Sequence, residues 1–324
     1  MRFDKRIRRI TVTVVAAVMA LAGCGPTMSG AVRDDTTLTD TSKQLQTASD
    51  VSAYKGPKLR VGVVNFQNKT PSKVLGIGEA AADILGTILQ KTDRFIVIPQ
   101  QDMESILNQQ RMGATGVINP DTAAKMGQVL GLNAIVTGAI TAYSETEEGY
   151  DYLVTKGKKQ IARVTVDYRI VDTTTGVQLM ADSGAGIYEK KVTSVLGMGS
   201  KAAYDTDLRD GALRDALTKA MVNMMKQLEN HPWKGKIAKV AGNKLYINAG
   251  RRTGLNIGDK LDVYRVGEDI IDPDTHVKLG TTEDKIGQAI IQQNDLGDKG
   301  DISVAVPTSG MGFKQGDVVK YIGK

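Results

Sequence analysis

The chain is poor in the residues that carry most redox, metal and acid–base chemistry. Its 324 residues include one cysteine, Cys24, two histidines, His231 and His276, and one tryptophan. A single cysteine excludes an internal disulfide, a thiolate cluster and a Cys-x-x-Cys redox pair. The histidines have no partners at ligand spacing, so no metal site is expected. His231 follows a helical stretch, where an imidazole can serve the last carbonyls. His276 closes Asp272-Pro273-Asp274-Thr275-His276, which reads as a solvated loop. No nucleophile motif stands beside a histidine and no acidic pair has a recognisable context, so the chain is read as no enzyme, with no catalytic residue and no cofactor.

Long apolar runs are also lacking. The one candidate, Ile10 to Gly23, is shorter than the roughly 20 residues needed to cross a bilayer as a helix. It follows the basic start Arg2-Phe3-Asp4-Lys5-Arg6-Ile7-Arg8-Arg9, which is the plan of a secretory signal. It ends in Leu21-Ala22-Gly23-Cys24, a lipobox, in which small residues admit the peptidase and the thiolate accepts diacylglycerol. Cys24 is therefore expected to carry a lipid. Gly25 follows it in place of the aspartate that resembles an inner-membrane retention signal, which favours the periplasmic side of the outer membrane.

Strong charge of one sign is missing once the leader is removed. The leader holds five basic residues and one acidic one, so of the net +6 only +2 remains. That leaves no electrostatic footprint for nucleic acid. Residues 25–56 are rich in Ser, Thr, Asp and Gly and too poor in apolar side chains to build a core, so they read as a tether.

Beyond Pro57 the pattern alternates between strands and helices. Leu59 to Phe66 is β-rich, and Ala81, Ile84, Leu85 and Ile88 follow at helical spacing. Phe95-Ile96-Val97-Ile98 is a strand, Pro99 a break, and Gln101 to Gln110 a helix with Met103, Ile106 and Leu107 on one side. Asn119-Pro120-Asp121 opens a helix that Gly131 stops, and Asn133 to Ile140 is a strand. Ala162, Val164, Val166, Tyr168 and Ile170 alternate with Arg163, Thr165, Asp167 and Arg169, the mark of a half-buried antiparallel strand. Asp172 to Gly176 turns the chain, and Val177 to Ala181 returns it. In a helix from Asp207 to Glu229, Leu213, Leu217, Met221, Met224 and Leu228 form one apolar stripe, read as core. His231-Pro232-Trp233 marks a boundary.

Lys234 to Lys324 consists of short alternating runs and glycine turns, an all-β module. It repeats one figure: Gly254-Leu255-Asn256-Ile257-Gly258-Asp259 and Gly312-Phe313-Lys314-Gln315-Gly316-Asp317, each before a strand, which suggests two equivalent barrel turns. Gly76-Ile77-Gly78-Glu79-Ala80-Ala81 fits a loose dinucleotide fingerprint. It stands about ten residues beyond the first strand, however, too far for the tight strand-to-helix turn that brings a pyrophosphate to a helix end.

The ordered set of the lipobox, the polar arm, Lys58 to Thr70, Asp93 to Ile98, Leu132 to Ile140 and Val164 to Gly176 resembles the curli secretion channel family, called CsgG, over roughly Lys58 to Asn230. The resemblance implies an α/β (α+β) periplasmic domain with a mixed sheet and flanking helices, assembled into a homo-oligomeric ring. It further implies a lipid anchor per subunit, β-hairpins in a shared outer-membrane barrel, and curli-type assembly and secretion of a protein substrate. The C-terminal module looks like the end of a flagellar assembly protein of the T type. The expected organisation is signal peptide 1–23, lipidated tether 24–56, α/β domain 57–232 and a small all-β barrel-like domain 233–324.

Three departures from the family stand out. Pro71-Ser72-Lys73-Val74-Leu75-Gly76-Ile77 has no aromatic to narrow a channel. In the hairpin from Tyr143 to Val171, with a turn expected near Lys156-Gly157-Lys158, the apolar parity of Tyr150, Tyr152 and Val154 puts Glu148 on the lipid side, next to Glu145 and Glu147. Tyr188-Glu189-Lys190-Lys191 then places charge on both faces. A non-spanning periplasmic scaffold or regulator of an envelope complex, similar to the lipoprotein activators of cell-wall synthases, is therefore the alternative reading.

Replacing Cys24 with serine is expected to shift the protein from the membrane to the soluble fraction of fractionated cells. An unprocessed, unmodified amino end in mass spectra of the unaltered protein would refute the anchor.

Overall fold

The computed structural model describes residues 56–71, 74–109, 120–151, 155–195, 206–229, 233–274 and 278–323. Leu21, Ala22, Gly23 and Cys24 lie outside the described residues, as do His231 and His276. In chain order the α/β part consists of β1 (Leu59–Val63), β2 (Gln67–Asn68), α1 (Ile77–Lys91), β3 (Phe95–Ile98), α2 (Gln100–Gln109), α3 (Pro120–Leu130), β4 (Ala134–Asp151), β5 (Thr155–Asp172), β6 (Gln178–Val195) and α4 (Thr206–Glu229). One sheet orders the strands β3-β1-β4-β5-β6, with β2 beside β4. β1 pairs in parallel with β3 and β4, whereas β4, β5 and β6 are antiparallel, so the sheet is mixed, as expected.

Local chemistry accounts for the element ends. Pro120 opens α3, where a first-turn residue needs no N–H, and Gly131 leaves it with φ +65°. Gly76 precedes α1 with φ +71°, and a Cβ on Gly78 would lie 1.7 Å from the carbonyl oxygen of Phe66. The close contact accounts for Gly78 and the left-handed backbone for Gly76, so the loose fingerprint serves the start of a helix against a backbone segment.

Two layers of helices cover the sheet. On one face Ala162, Val164, Val166, Tyr168 and Ile170 of β5 are buried against the α4 stripe Leu213, Leu217, Met221, Met224 and Leu228, while Arg163, Asp167 and Arg169 face solvent. Each fully buried leucine of that stripe contributes roughly 2 kcal/mol. The fit is close because β6 offers no side chains there: a Cβ on Gly186 would fall 2.1 Å from the Ala212 carbonyl oxygen, and one on Gly184 2.6 Å from that of Ala216. On the other face Met103, Ala123 and Met126 of α2 and α3 pack on Val64, Leu132, Ile135 and Val171.

One expected turn is displaced. Lys156 and Gly157 lie within β5, paired with Asp151 and Tyr150, and residues 152–154 lie outside the described residues. The observed register sets Glu148 opposite Lys159 and brings Glu147 to Lys158, a favourable cross-strand charge arrangement that carries the ladder past Gly157.

The C-terminal strands β7 (Lys234–Ala241), β8 (Lys244–Ile247), β9 (Lys260–Ile271), β10 (Lys278–Leu296), β11 (Ile302–Gly310) and β12 (Val318–Gly323) close into a barrel in the order β10-β11-β8-β7-β12-β9. The two Gly-Asp figures are structurally equivalent. Gly258 and Gly316 both have φ +93°. The N–H groups of Gly258 and Gly316 donate to the carbonyls of Ile291 and Ile237, whose own N–H groups donate to the carbonyls of Asp259 and Asp317, all at 2.9 Å. The Asp259 and Asp317 carboxylates each accept a backbone N–H three residues back, from Asn256 and Lys314, at 2.7 Å. Only Asp317 also holds an arginine, Arg265, at 2.8 Å.

Glu283 of β10 joins three strands, accepting from Lys234 of β7 at 3.2 Å and from Lys320 of β12, whose ammonium also lies 4.1 Å from the centre of the Tyr264 ring. Burial pushes the Glu283 carboxyl up, but the Lys320 and Lys234 ammonium groups outweigh it and leave it below the usual glutamate range. A carboxylate depressed in the folded state stabilises above its unfolded pKa, and the contribution is lost as pH falls through the folded value. The barrel is therefore expected to lose stability on acidification below the ordinary glutamate range, and Glu283→Gln to flatten that loss in pH-dependent thermal melts. An unchanged acid limb in the variant would assign the loss to other carboxylates.

Candidate functional site

β4, β5 and β6 each run 18 residues, so the sheet extends as a three-stranded ribbon. On the ribbon, Ile161, Ala162 and Tyr188 mark the end of the packed region and charge takes over beyond them. Glu147 pairs with Lys158 on the face that continues the α4 side, and Lys159 pairs with Glu189 at 3.0 Å on the opposite face. Glu147 is held acidic, its pKa lowered chiefly by the hydrogen bond from Lys158. The expected charge on both faces of β6 is thus found on the ribbon as a whole.

Among the described residues no strand pairs with β4 beyond Ile140 on the side away from β5, and none pairs with the outer side of β6. These two edges differ in kind. Along the inner half of β6, side chains occupy the outward backbone groups. Lys219 Nζ donates to the Ala185 carbonyl at 3.2 Å, and the Ile187 N–H donates to Asp215 Oδ2 at 3.0 Å. Gln227 donates to the Leu179 carbonyl at 3.2 Å, and the Ser183 N–H donates to Asp182 Oδ1 at 2.8 Å. Asp215 and Lys219 are one helical turn apart and 2.7 Å from each other, with the Asp215 side chain fully buried. Tyr168 and Asn223 both donate to Asp182 Oδ2, at 3.2 and 2.9 Å. Tyr168 is pushed well above the usual phenol range by burial and by the adjacent Asp182 carboxylate, so it remains a donor. A sheet edge filled in this way refuses strand addition.

Where the α/β sheet meets the barrel, an asparagine joins the two. Asn133 exchanges bonds with Arg60, accepting its N–H at 2.9 Å and donating its own N–H to the Arg60 carbonyl at 2.8 Å, and its side-chain amide donates to the Lys234 carbonyl at 2.6 Å. Within the barrel Asn248 makes the same exchange with Lys236, accepting its N–H at 2.7 Å. Between these clasps lies an open cavity of about 660 Å³, lined by Arg60, Lys236, Asn248, Asp301 and the end of α3. Asp301 is bridged to Arg252 at 3.2 Å. Burial lowers the pKa of both the Arg60 guanidinium and the Lys236 ammonium.

Reading the sequence as periodic patterns missed Asp215, Lys219, Asn133 and Arg60. The first two had a signal, an acid and a base at i, i+4 on a helix; Arg60 had one as the single cation inside an apolar strand. Among the described residues no three His, Cys, Asp or Glu side chains stand together in a way that could hold a metal ion. No described helix is long and apolar enough to cross a membrane.

Residues 40–256 match the family described as curli production assembly/transport component CsgG. The chain belongs to the CsgG family. The match begins ahead of β1 and runs into the barrel, ending inside the first Gly-Asp figure ahead of Gly258, so it is wider than the α/β region that carries the resemblance. A relative from Neisseria meningitidis serogroup B, whose name marks it as a lipoprotein, is 27% identical over 236 residues, covering 68% of this chain and 95% of its own length. Family and relative together make this CsgG-family protein a lipid-anchored protein of the cell envelope. Among solved structures, lipoprotein GNA1162 from Neisseria meningitidis is 17% identical with a TM-score of 0.32, covering 53% of this chain and 99% of its own. The C-terminal domain of LpoB from Salmonella enterica is 10% identical with a TM-score of 0.29, covering 44% of this chain and 93% of its own. Overlaps that loose bear on neither fold nor function.

Replacing Asp215 with alanine removes the acceptor for the Ile187 N–H and leaves Lys219 without its partner. The CsgG-family chain should then associate or aggregate in a concentration-dependent way, read by light scattering, and lose about 1–3 kcal/mol of stability. A variant that stays as dispersed as the unaltered protein would show that the filled edge guards nothing.

Proposed function

We propose that this CsgG-family lipoprotein is a non-enzymatic assembly component at the periplasmic face of the outer membrane. In this reading, copies gather into a ring through their ribbons, and the ring handles an exported protein or docks an envelope partner. The ribbon carries the reading. Its outer edges, β4 beyond Ile140 and β6 beyond Tyr188, are the stretches where neither a described strand nor α4 fills the sheet edge, so ribbon can add to ribbon around a ring. The ion pairs on its two faces keep it in water, because a charge facing hydrocarbon costs about 2–4 kcal/mol at mid-depth, somewhat less for an acid. The lipid on Cys24 supplies the membrane attachment, and no nucleic acid enters the function. The barrel, read as similar to the end of a T-type flagellar assembly protein, is placed as an accessory of the ring.

One observation favours a second reading, in which the ribbons cross the outer membrane as the wall of an export channel. The strands of 18 residues exceed the 9–11 that a membrane strand needs.

Glu147→Cys separates the two readings, since the only native thiol is acylated. A membrane-impermeant maleimide should label the new thiol once the outer membrane is permeabilised, with no further gain on adding detergent. Labelling only after detergent dissolves the bilayer would replace the water-borne ribbon with the spanning one. The mass of the full chain in mild detergent tests the ring in both, and a strict monomer at every concentration would remove it.

A further inference from the structure

We infer that the cavity at the junction of sheet and barrel is a binding site for a small oxyanion, a phosphate or carboxylate group clamped between Arg60 and Lys236. Two cations from different modules converge there, one from β1 and one from β7. Among the described residues Nε of Arg60 is buried with no hydrogen-bond partner, and burial alone perturbs the Lys236 ammonium, with no charged group acting on it. The one carboxylate in the lining, Asp301, bridges to Arg252 and also favours the charge on Arg60, while Arg252 opposes that charge to a smaller extent. One carboxylate is thus shared among Arg60, Arg252 and Lys236, and half-buried cations whose charge is only partly balanced are costly unless an anion joins them. At about 660 Å³ the cavity is of small-molecule size. Asn248 keeps its amide nitrogen toward Gly131 while its oxygen accepts from Lys236, which leaves a neutral donor beside the two cations.

A competing role for the same cations is to complement the carbonyl end of α3, whose last turn has no basic residue of its own. That role predicts stability changes without ligand binding, so the two are separable. Bound between β1 and β7, an oxyanion would add a second bridge to the one made by Asn133, so that ligand and inter-module rigidity are linked.

The test uses the full mature chain in detergent micelles, titrated with inorganic phosphate and separately with succinate, and followed by calorimetry and by phosphorus NMR for the former. Saturable binding of at least one anion is expected, absent for potassium chloride at matched ionic strength. Whichever anion binds names the source of the oxyanion. Arg60→Gln and Lys236→Met should each weaken it by about tenfold or more. Asp301→Asn removes the competing carboxylate and should tighten binding severalfold, and it remains informative if either cation variant fails to fold. No saturable binding of either anion, or binding that none of the three variants alters, would overturn the site and return Arg60 and Lys236 to the helix end.

Discussion

The approach of α4 to β5 and β6 at backbone contact is the constraint on which the rest of the α/β part depends. It requires glycine at 184 and 186, where any side chain would strike the carbonyls of Ala212 and Ala216. With the helix that near, Tyr168 can reach Asp182 and Ala220, and Asp215, Lys219 and Gln227 can reach around the strand to its outward backbone groups. One packing decision therefore buries the apolar stripe and closes half of the sheet edge. A looser helix would keep the apolar contact area in part but lose these hydrogen bonds, whose geometry tolerates only a few tenths of an ångström.

The barrel is built on a different constraint, a turn used twice. Each Gly-Asp figure needs a left-handed glycine, ties itself to an isoleucine of another strand, and caps its own loop with the aspartate. Repetition breaks down at the second carboxylate oxygen. Asp317 meets Arg265, whereas Oδ1 of the buried Asp259 has no hydrogen-bond partner. The position six residues after each aspartate explains the difference, being Arg265 in one case and Gly323 in the other. The barrel and the sheet are then joined by Asn133, an amide that accepts from Arg60 and donates to Lys234 at once.

These features suit a protein that works by assembly. Its polar side chains are spent on edges, turns and joints, and the buried ones mostly serve the fold. The ribbon combines length with charge on both faces, which is why its placement in water is proposed even though the strands could reach across a bilayer. Membership of a family described by curli production assembly and transport fits an envelope role.

Much of this was legible in the residues. Alternation in Ala162 to Ile170, helical spacing in Leu213 to Leu228, Pro120 and Gly131 at the ends of α3, and the doubled Gly-Asp figure each report a local rule of period or backbone conformation. The glycine in Lys156-Gly157-Lys158 suggests a hairpin turn there. Cross-strand pairing of Glu147 and Glu148 with lysines overrode it, and that pairing exists only once two strands are aligned. The sequence by itself determined the periodic elements, the doubled Gly-Asp turn and the single thiol, since each depends on neighbours along the chain. Tertiary structure decided which edge of the sheet is filled, where the ribbon carries its charge, and that Arg60 and Lys236 share a cavity. Those facts depend on residues far apart in sequence, brought together by the docking of α4 and by the closure of the barrel against β1.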